Sequence, residues 1–137
     1  MKKKTINSLY VYFFGVMFIV YGCSGNEICI NLIEQSIVTV EGGDIRRFEI
    51  DVNDTIYYFH LKEDIRHQNA VDLRNVYKSN RLDEVFPSRK KAVFLLRPKT
   101  KYTFTNSTVY DASAMTIQFY TDSLGNLNCA DNRRICK

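Results

Sequence analysis

The chain has little of what catalysis is usually built from. Among its 137 residues there are only two histidines, His60 and His67. It contains no His-Glu-x-x-His pair, no Cys-x-x-Cys, no glycine-rich phosphate loop and no Gly-x-Ser-x-Gly elbow. The first two absences remove the common routes to a zinc site, which needs clustered imidazole or thiolate ligands. The other two remove local signatures of phosphate binding and of a serine hydrolase. His60 falls in the predicted strand "YYFHLK", on the face opposite Tyr57 and Phe59, and His67 falls in the predicted loop "DIRHQN". Two separated histidines offer no metal cluster. Asp51 and Asp54 flank a turn, where capping is the expected role rather than acid–base work. The expectation is a non-enzyme with no metal, cofactor or small-molecule substrate.

Charge is missing from one long stretch. After Lys2, Lys3 and Lys4, no charged residue occurs until Glu27. The dense apolar part, Leu9 to Tyr21, is 13 residues long. A helix needs about 20 apolar residues to cross the hydrocarbon core. The run fits instead the h-region of a secretory signal behind a basic n-region. It ends in "VYGC", Val20 to Cys23, which resembles the lipobox of bacterial lipoproteins. That resemblance implies diacylglycerol on the Cys23 thiol, cleavage between Gly22 and Cys23, and acylation of the new amino terminus. Tyr21 is bulkier than the residue usual at its place in that motif. Residues 1–22 then form the signal peptide, 23–27 a lipidated tether, and 28–137 a single domain. Attachment would come from lipid, since each buried methylene contributes about 0.8 kcal/mol and two or more chains anchor stably.

Without residues 1–22 the chain has 115 residues, with 16 basic side chains against 15 acidic, a net charge of +1. Nucleic-acid binding is not expected, because it needs a concentrated basic surface. The length suits one domain, and twelve Phe and Tyr remain to fill its core. There is no internal repeat, low-complexity tract or long linker.

Period-two apolar patterning predicts strands in "EICINLI", "DIRRFEIDV", "TIYYFHLK", "AVFLL", "KYTFTNSTVY" and "AMTIQFYTD". With no long helical pattern, these imply an all-β antiparallel sandwich after the signal helix. "LLRPKTKYTF", Leu95 to Phe104, has Leu, Pro and Tyr spaced as Leu-x-Pro-x-x-x-Tyr. It resembles the corner between the fifth and sixth strands of fibronectin type III and immunoglobulin-like domains. The resemblance implies that the Tyr102 hydroxyl bonds upstream backbone, with Leu96 as the plug and Pro98 stiffening the turn. Such a corner is a folding device and carries no activity.

Between Glu63 and Lys91 the pattern is weakest, and an edge strand around "NAVDLRNVYKSN" with long loops is expected. Charges of both signs crowd there. They suit either a solvated rim that discourages edge pairing or a partner-binding face, for which Arg74, Tyr77 and Arg81 are the candidates.

Three cysteines remain besides Cys23: Cys29, Cys129 and Cys136. Export to an oxidising compartment would pair two of them. Joining Cys129 to Cys136 would staple the tail "CADNRRIC" for about 2.5 kcal/mol on the chain-entropy account. Joining Cys29 to either would close a loop of about 100 residues, worth about 4.7 kcal/mol, and tie the first strand to the chain end. The local Cys129–Cys136 bridge is the expectation, with one thiol left buried or available to a partner.

In layout, with a short lipoprotein signal, an immediate "EICI" strand, a Pro–Tyr corner and a cysteine-bearing tail, the chain resembles small periplasmic lipoproteins described as immunity proteins of type VI secretion systems. This implies a protein partner, a secreted toxin, captured beside the membrane to which Cys23 is bonded. The alternative is an accessory lipoprotein of an envelope or secretion complex. Ser24 is not the aspartate associated with inner-membrane retention in enterobacterial lipoproteins. By that rule the periplasmic face of the outer membrane is implied.

Overall fold

The computed structural model describes residues 25–40, 42–65, 67–77, 81–88, 91–108 and 114–137. The expected signal peptide, residues 1–22, and the expected lipid-bearing Cys23 lie outside the described residues.

Among the described residues nine strands form two antiparallel sheets in a β-sandwich-like arrangement. The smaller sheet has the order β1 (Ile28–Asn31), β2 (Ser36–Thr39), β5 (Ala70–Asp72). The larger has the order β6 (Leu82–Phe86), β4 (Thr55–Leu61), β3 (Arg47–Val52), β7 (Lys101–Asn106), β8 (Met115–Thr121), β9 (Leu127–Asn128). Alternation decides which side of each strand is buried. In β7, Tyr102, Phe104 and Asn106 point inward, and in β8, Ile117, Phe119 and Thr121 do so. Ile28, Ile30, Ile37 and Val71 from the small sheet meet Phe48, Ile50, Phe59 and Phe104 from the large one in a single core. Aromatic rings form its centre. Phe48 stacks between Phe59 at 4.9 Å and Phe104 at 5.1 Å, while Tyr102 stacks on Phe119 at 5.1 Å.

The turns follow from residue type. Val52 pairs with Thr55 across a two-residue loop in which Asn53 and Asp54 have φ of 48° and 61°. Two positive φ values match the strand twist, and Asn and Asp tolerate that region better than other residues with a Cβ. The expected capping position is thus occupied by Asp54 in the turn itself.

Three expectations are corrected. "AVFLL" is not a strand: residues 92–97 form an extended strap outside both sheets. Its backbone bonds to side-chain hydroxyls instead of a ladder. The Phe94 N–H donates to Tyr77 Oη at 2.9 Å, and the Arg97 N–H donates to Tyr102 Oη at 2.6 Å. The apolar run reported extension there, but neither the partner nor the burial: Phe94 alone is buried, and Val93 and Leu95 are exposed. Conversely, β2, β6 and β9 form where no strand was expected. Each is short, and β6 carries Asp83 and Glu84 in its middle.

The third correction is the disulfide. Cys129 does not pair with Cys136; Cys29 does, with Cα atoms 5.1 Å apart. The tail folds back along β1, where Ile135 bridges Ile30 in parallel and the Cys136 N–H donates to the Ile30 carbonyl at 3.0 Å. That pairing puts Cys136 beside Cys29. Cys129 lies against β8 instead, buried, its thiol donating to the Gln118 carbonyl at 3.4 Å.

Candidate functional site

The sandwich has two unlike ends. One is where the chain enters. Gly25 and buried Asn26 precede β1, and the Asn106 side-chain amide at the end of β7 donates to the Asp44 carbonyl at 3.1 Å and the Asn26 carbonyl at 3.4 Å. The Asn106 Oδ1 in turn accepts from Thr108 Oγ1 at 2.6 Å. Gly43 packs so closely here that a Cβ would sit 2.9 Å from the Gly25 carbonyl oxygen. Among the described residues this pole is polar and tight, with hydrogen bonds gathered on a buried asparagine.

The opposite pole is built from turns. β7 starts there at Lys101, and the β3–β4 hairpin, the 32–35 turn and the 122–125 turn all end there. Gln35 and Leu127 fasten the two sheets together at this end, the Gln35 amide accepting from the Leu127 N–H. Asp122 organises the 122–125 turn by accepting from the Leu124 N–H at 2.8 Å and the Asn126 N–H at 2.9 Å. These bonds, those from Asn126 above all, hold its carboxyl below the usual carboxylate range.

Exposed apolar side chains follow this polarity. Ile33 at 96% and Leu124 at 83% exposure cap two of the turns. Val93 at 46% and Leu95 at 63% face outward from the strap, flanking buried Phe94. Ile56 and Tyr120 are exposed near the same end, while Phe86 lies midway along the large sheet opposite Tyr58. Loops are where binding residues concentrate, so these exposed apolar groups make this pole the candidate contact surface.

The strap crosses this pole and is locked from below. Phe94 meets Tyr57 at 5.5 Å and Tyr102 at 6.0 Å, ring edge to face. Between strap and hairpin runs a groove of about 90 Å³, lined by Val52, Asn53, Thr55, Tyr57, Val93, Phe94, Leu95 and Arg97.

The three residues expected to form a partner face are not brought together. Arg74 belongs to the turn-built pole: its guanidinium donates to Asn126 Oδ1 at 2.7 Å. Tyr77 turns inward, its ring 5.7 Å from Phe59 and its hydroxyl holding the strap at Phe94. Arg81 sits at the far end of β6, where its carbonyl accepts from the Lys62 N–H at 2.8 Å. The histidines are also apart, His60 on the outer face of β4 and His67 4.0 Å from Asp44. Among the described residues no group of three or more His, Cys, Asp or Glu side chains could hold a metal ion, and no helix is long and apolar enough to cross a membrane.

Sequence reasoning missed the strap as a surface. The available signal was "RKKAVFLLRPKTK", where an unbroken run of five apolar residues sits in a basic stretch without an acid. Set against protein-family models, curated proteins and solved structures, the chain matches none of them.

Proposed function

We propose that this chain is an envelope lipoprotein, lipidated on Cys23 at the periplasmic face of the outer membrane, whose sandwich binds a protein partner and neutralises a secreted toxin. The single observation that carries the binding reading is the polarity of the sandwich. The pole beside Gly25 is closed and polar, and the pole farthest from it exposes Ile33, Leu95 and Leu124. Only Ser24 separates Cys23 from Gly25. A lipid on Cys23 would hold the closed pole against the bilayer and leave the apolar pole facing the periplasm.

The sandwich itself fits the immunoglobulin and fibronectin III type. β1, β2 and β5 share one sheet, and β3, β7 and β8 run side by side in the other, as strands A, B, E and C, F, G do in that architecture. Tyr102 near the start of β7, bonding back to Arg97, supplies the tyrosine corner. Domains of this kind bind through loops clustered at one end of a rigid frame. The toxin assignment rests on the likeness in layout to periplasmic immunity lipoproteins.

Two measurements test it. Alkyne-palmitate fed to cells should label the wild-type chain and not Cys23→Ala, with the labelled protein fractionating with the outer membrane. Affinity capture from native envelopes should then recover a secreted toxin whose activity is lost in the complex. Recovery of subunits of an envelope or secretion assembly would favour the accessory-lipoprotein reading, and absence of label would remove the anchor.

A further inference from the structure

We propose that the groove between the strap and the β3–β4 hairpin is an acceptor-specific anchor site, filled by one aspartate or glutamate side chain of a partner protein whose neighbouring apolar residues cover Val93 and Leu95. This deepens the binding-module reading and rests on it for the existence of a partner.

Three observations converge on that occupant. The first is size. At about 90 Å³ the groove holds a single side chain, whereas small-molecule sites run to roughly 300–1,000 Å³. A protein anchor fits; a metabolite does not.

The second is chemistry. Among the described residues, the backbone amides of Val93 and Leu95 donate no hydrogen bond, and the Arg97 guanidinium has no acceptor. Neighbouring amides are used, at Phe94 by Tyr77 and at Arg97 by Tyr102. Val93, Leu95 and Arg97, which line the groove, thus carry donors with no protein acceptor among the described residues. Asp51 and Asp54, the acids of the hairpin, form no ion pair with Arg97 among the described residues. Lys91 and Lys99, each two residues beyond the groove-lining part of the strap, are exposed and add basic charge on the strap side, while the exposed acids Asp51 and Asp54 belong to the hairpin. A carboxylate supplies acceptors and opposite charge together, and charge-assisted bonds are about twice as strong as neutral ones.

The third is the rim. Val93 and Leu95 are exposed on the strap beside the donors. An anchor in a pocket surrounded by apolar contact that excludes water is the arrangement in which a charged pair contributes most to association. The strap is also rigid from beneath, since Tyr77 and Tyr102 hold its backbone and Phe94 packs into the core. Little ordering would be needed on binding.

The test uses the full chain, as wild type and as Cys23→Ser, with a random 12-residue peptide library as the probe. Selected peptides are expected to be enriched in Asp or Glu next to apolar residues and to bind both forms equally. Their affinity should fall at least tenfold for Arg97→Glu and for Leu95→Asp, and less than twofold for Arg81→Glu. It should also fall several-fold between 50 and 500 mM salt. Both groove substitutions are at exposed positions, and an unchanged near-ultraviolet circular dichroism spectrum establishes that the fold is kept. Amide shifts in NMR should cluster at residues 93–97 and 52–55. Failure to enrich acidic peptides, equal binding to Arg97→Glu, or shifts elsewhere would overturn the proposal. So would preferential binding to phosphatidylglycerol vesicles, or self-association that Arg97→Glu abolishes. Because Cys23→Ser is carried in parallel, loss of the lipid reading leaves this outcome separately readable.

Discussion

Cys29 and Cys136, 107 positions apart, are covalently joined, so the first strand and the end of the chain belong to one closed loop. Between them lies almost the whole sandwich. On the chain-entropy account a loop of this length stabilises by about 4.7 kcal/mol. Cys136→Ser should therefore lower the free energy of unfolding in urea by about 4 kcal/mol, an effect that added reductant reproduces in the wild type. Cys129→Ala should keep the bridge and cost about 1 kcal/mol of packing. A non-reduced digest should show the peptide bearing Cys29 linked to that bearing Cys136.

The Tyr102 hydroxyl is buried and bonded both ways to Arg97, accepting from its N–H and donating to its carbonyl. Tyr102→Phe keeps the ring stacked on Phe119 but leaves the Arg97 amide without its part-buried acceptor. A loss of about 1–3 kcal/mol is expected in chemical denaturation. A loss under 0.5 kcal/mol would mean the hydroxyl does not pin the strap.

At the closed pole, Gly43→Ala forces a Cβ to within 2.9 Å of a backbone oxygen that cannot swing aside as a side chain would. Overpacking of this kind costs about 1–3 kcal/mol. The shift should be visible as displaced amide resonances at Gly25, Asn26 and Asn106, with the groove resonances unmoved.

Asp122 sets a pH dependence. Hydrogen bonds from Asn126, then from Leu124 and Gly125, favour its ionised form in the folded protein, so its folded pKa lies below its unfolded one. Its contribution is complete above the unfolded value and is lost as pH falls through the folded value. A carboxyl titration followed by NMR should show Asp122 protonating at lower pH than an exposed aspartate. In Asp122→Asn the stability of the 122–126 turn, read by amide exchange, should vary less across the acid range.

Much of the frame was legible in the residues. β1, β3, β4, β7 and β8 are strands because Ile, Phe, Tyr and Val recur at period two, and two of their turns contain Asn-Asp or Asp with Gly. The bond from Tyr102 to upstream backbone was legible too, since Leu96, Pro98 and Tyr102 stand at fixed offsets. Short strands were not: β9 has two residues, too few for any pattern. The disulfide was misread because loop length favours the nearer pair only when nothing else decides. Here the return of Ile135 to Ile30 decides, and that contact is non-local. That the expected partner residues lie apart was not legible either, for a related reason. Arg74 and Arg81 are near in sequence, yet β5 and β6 lie in different sheets and carry them to opposite ends.

The clasp at Cys29 also has a mechanical side. If the lipid holds Cys23 while a partner grips the far pole, any pull enters through the six residues from Ser24 to Cys29. Fully drawn out, they lengthen the tether by about 20 Å. Beyond that the load reaches a covalent ring and is divided between β1 and the returning tail at Cys136.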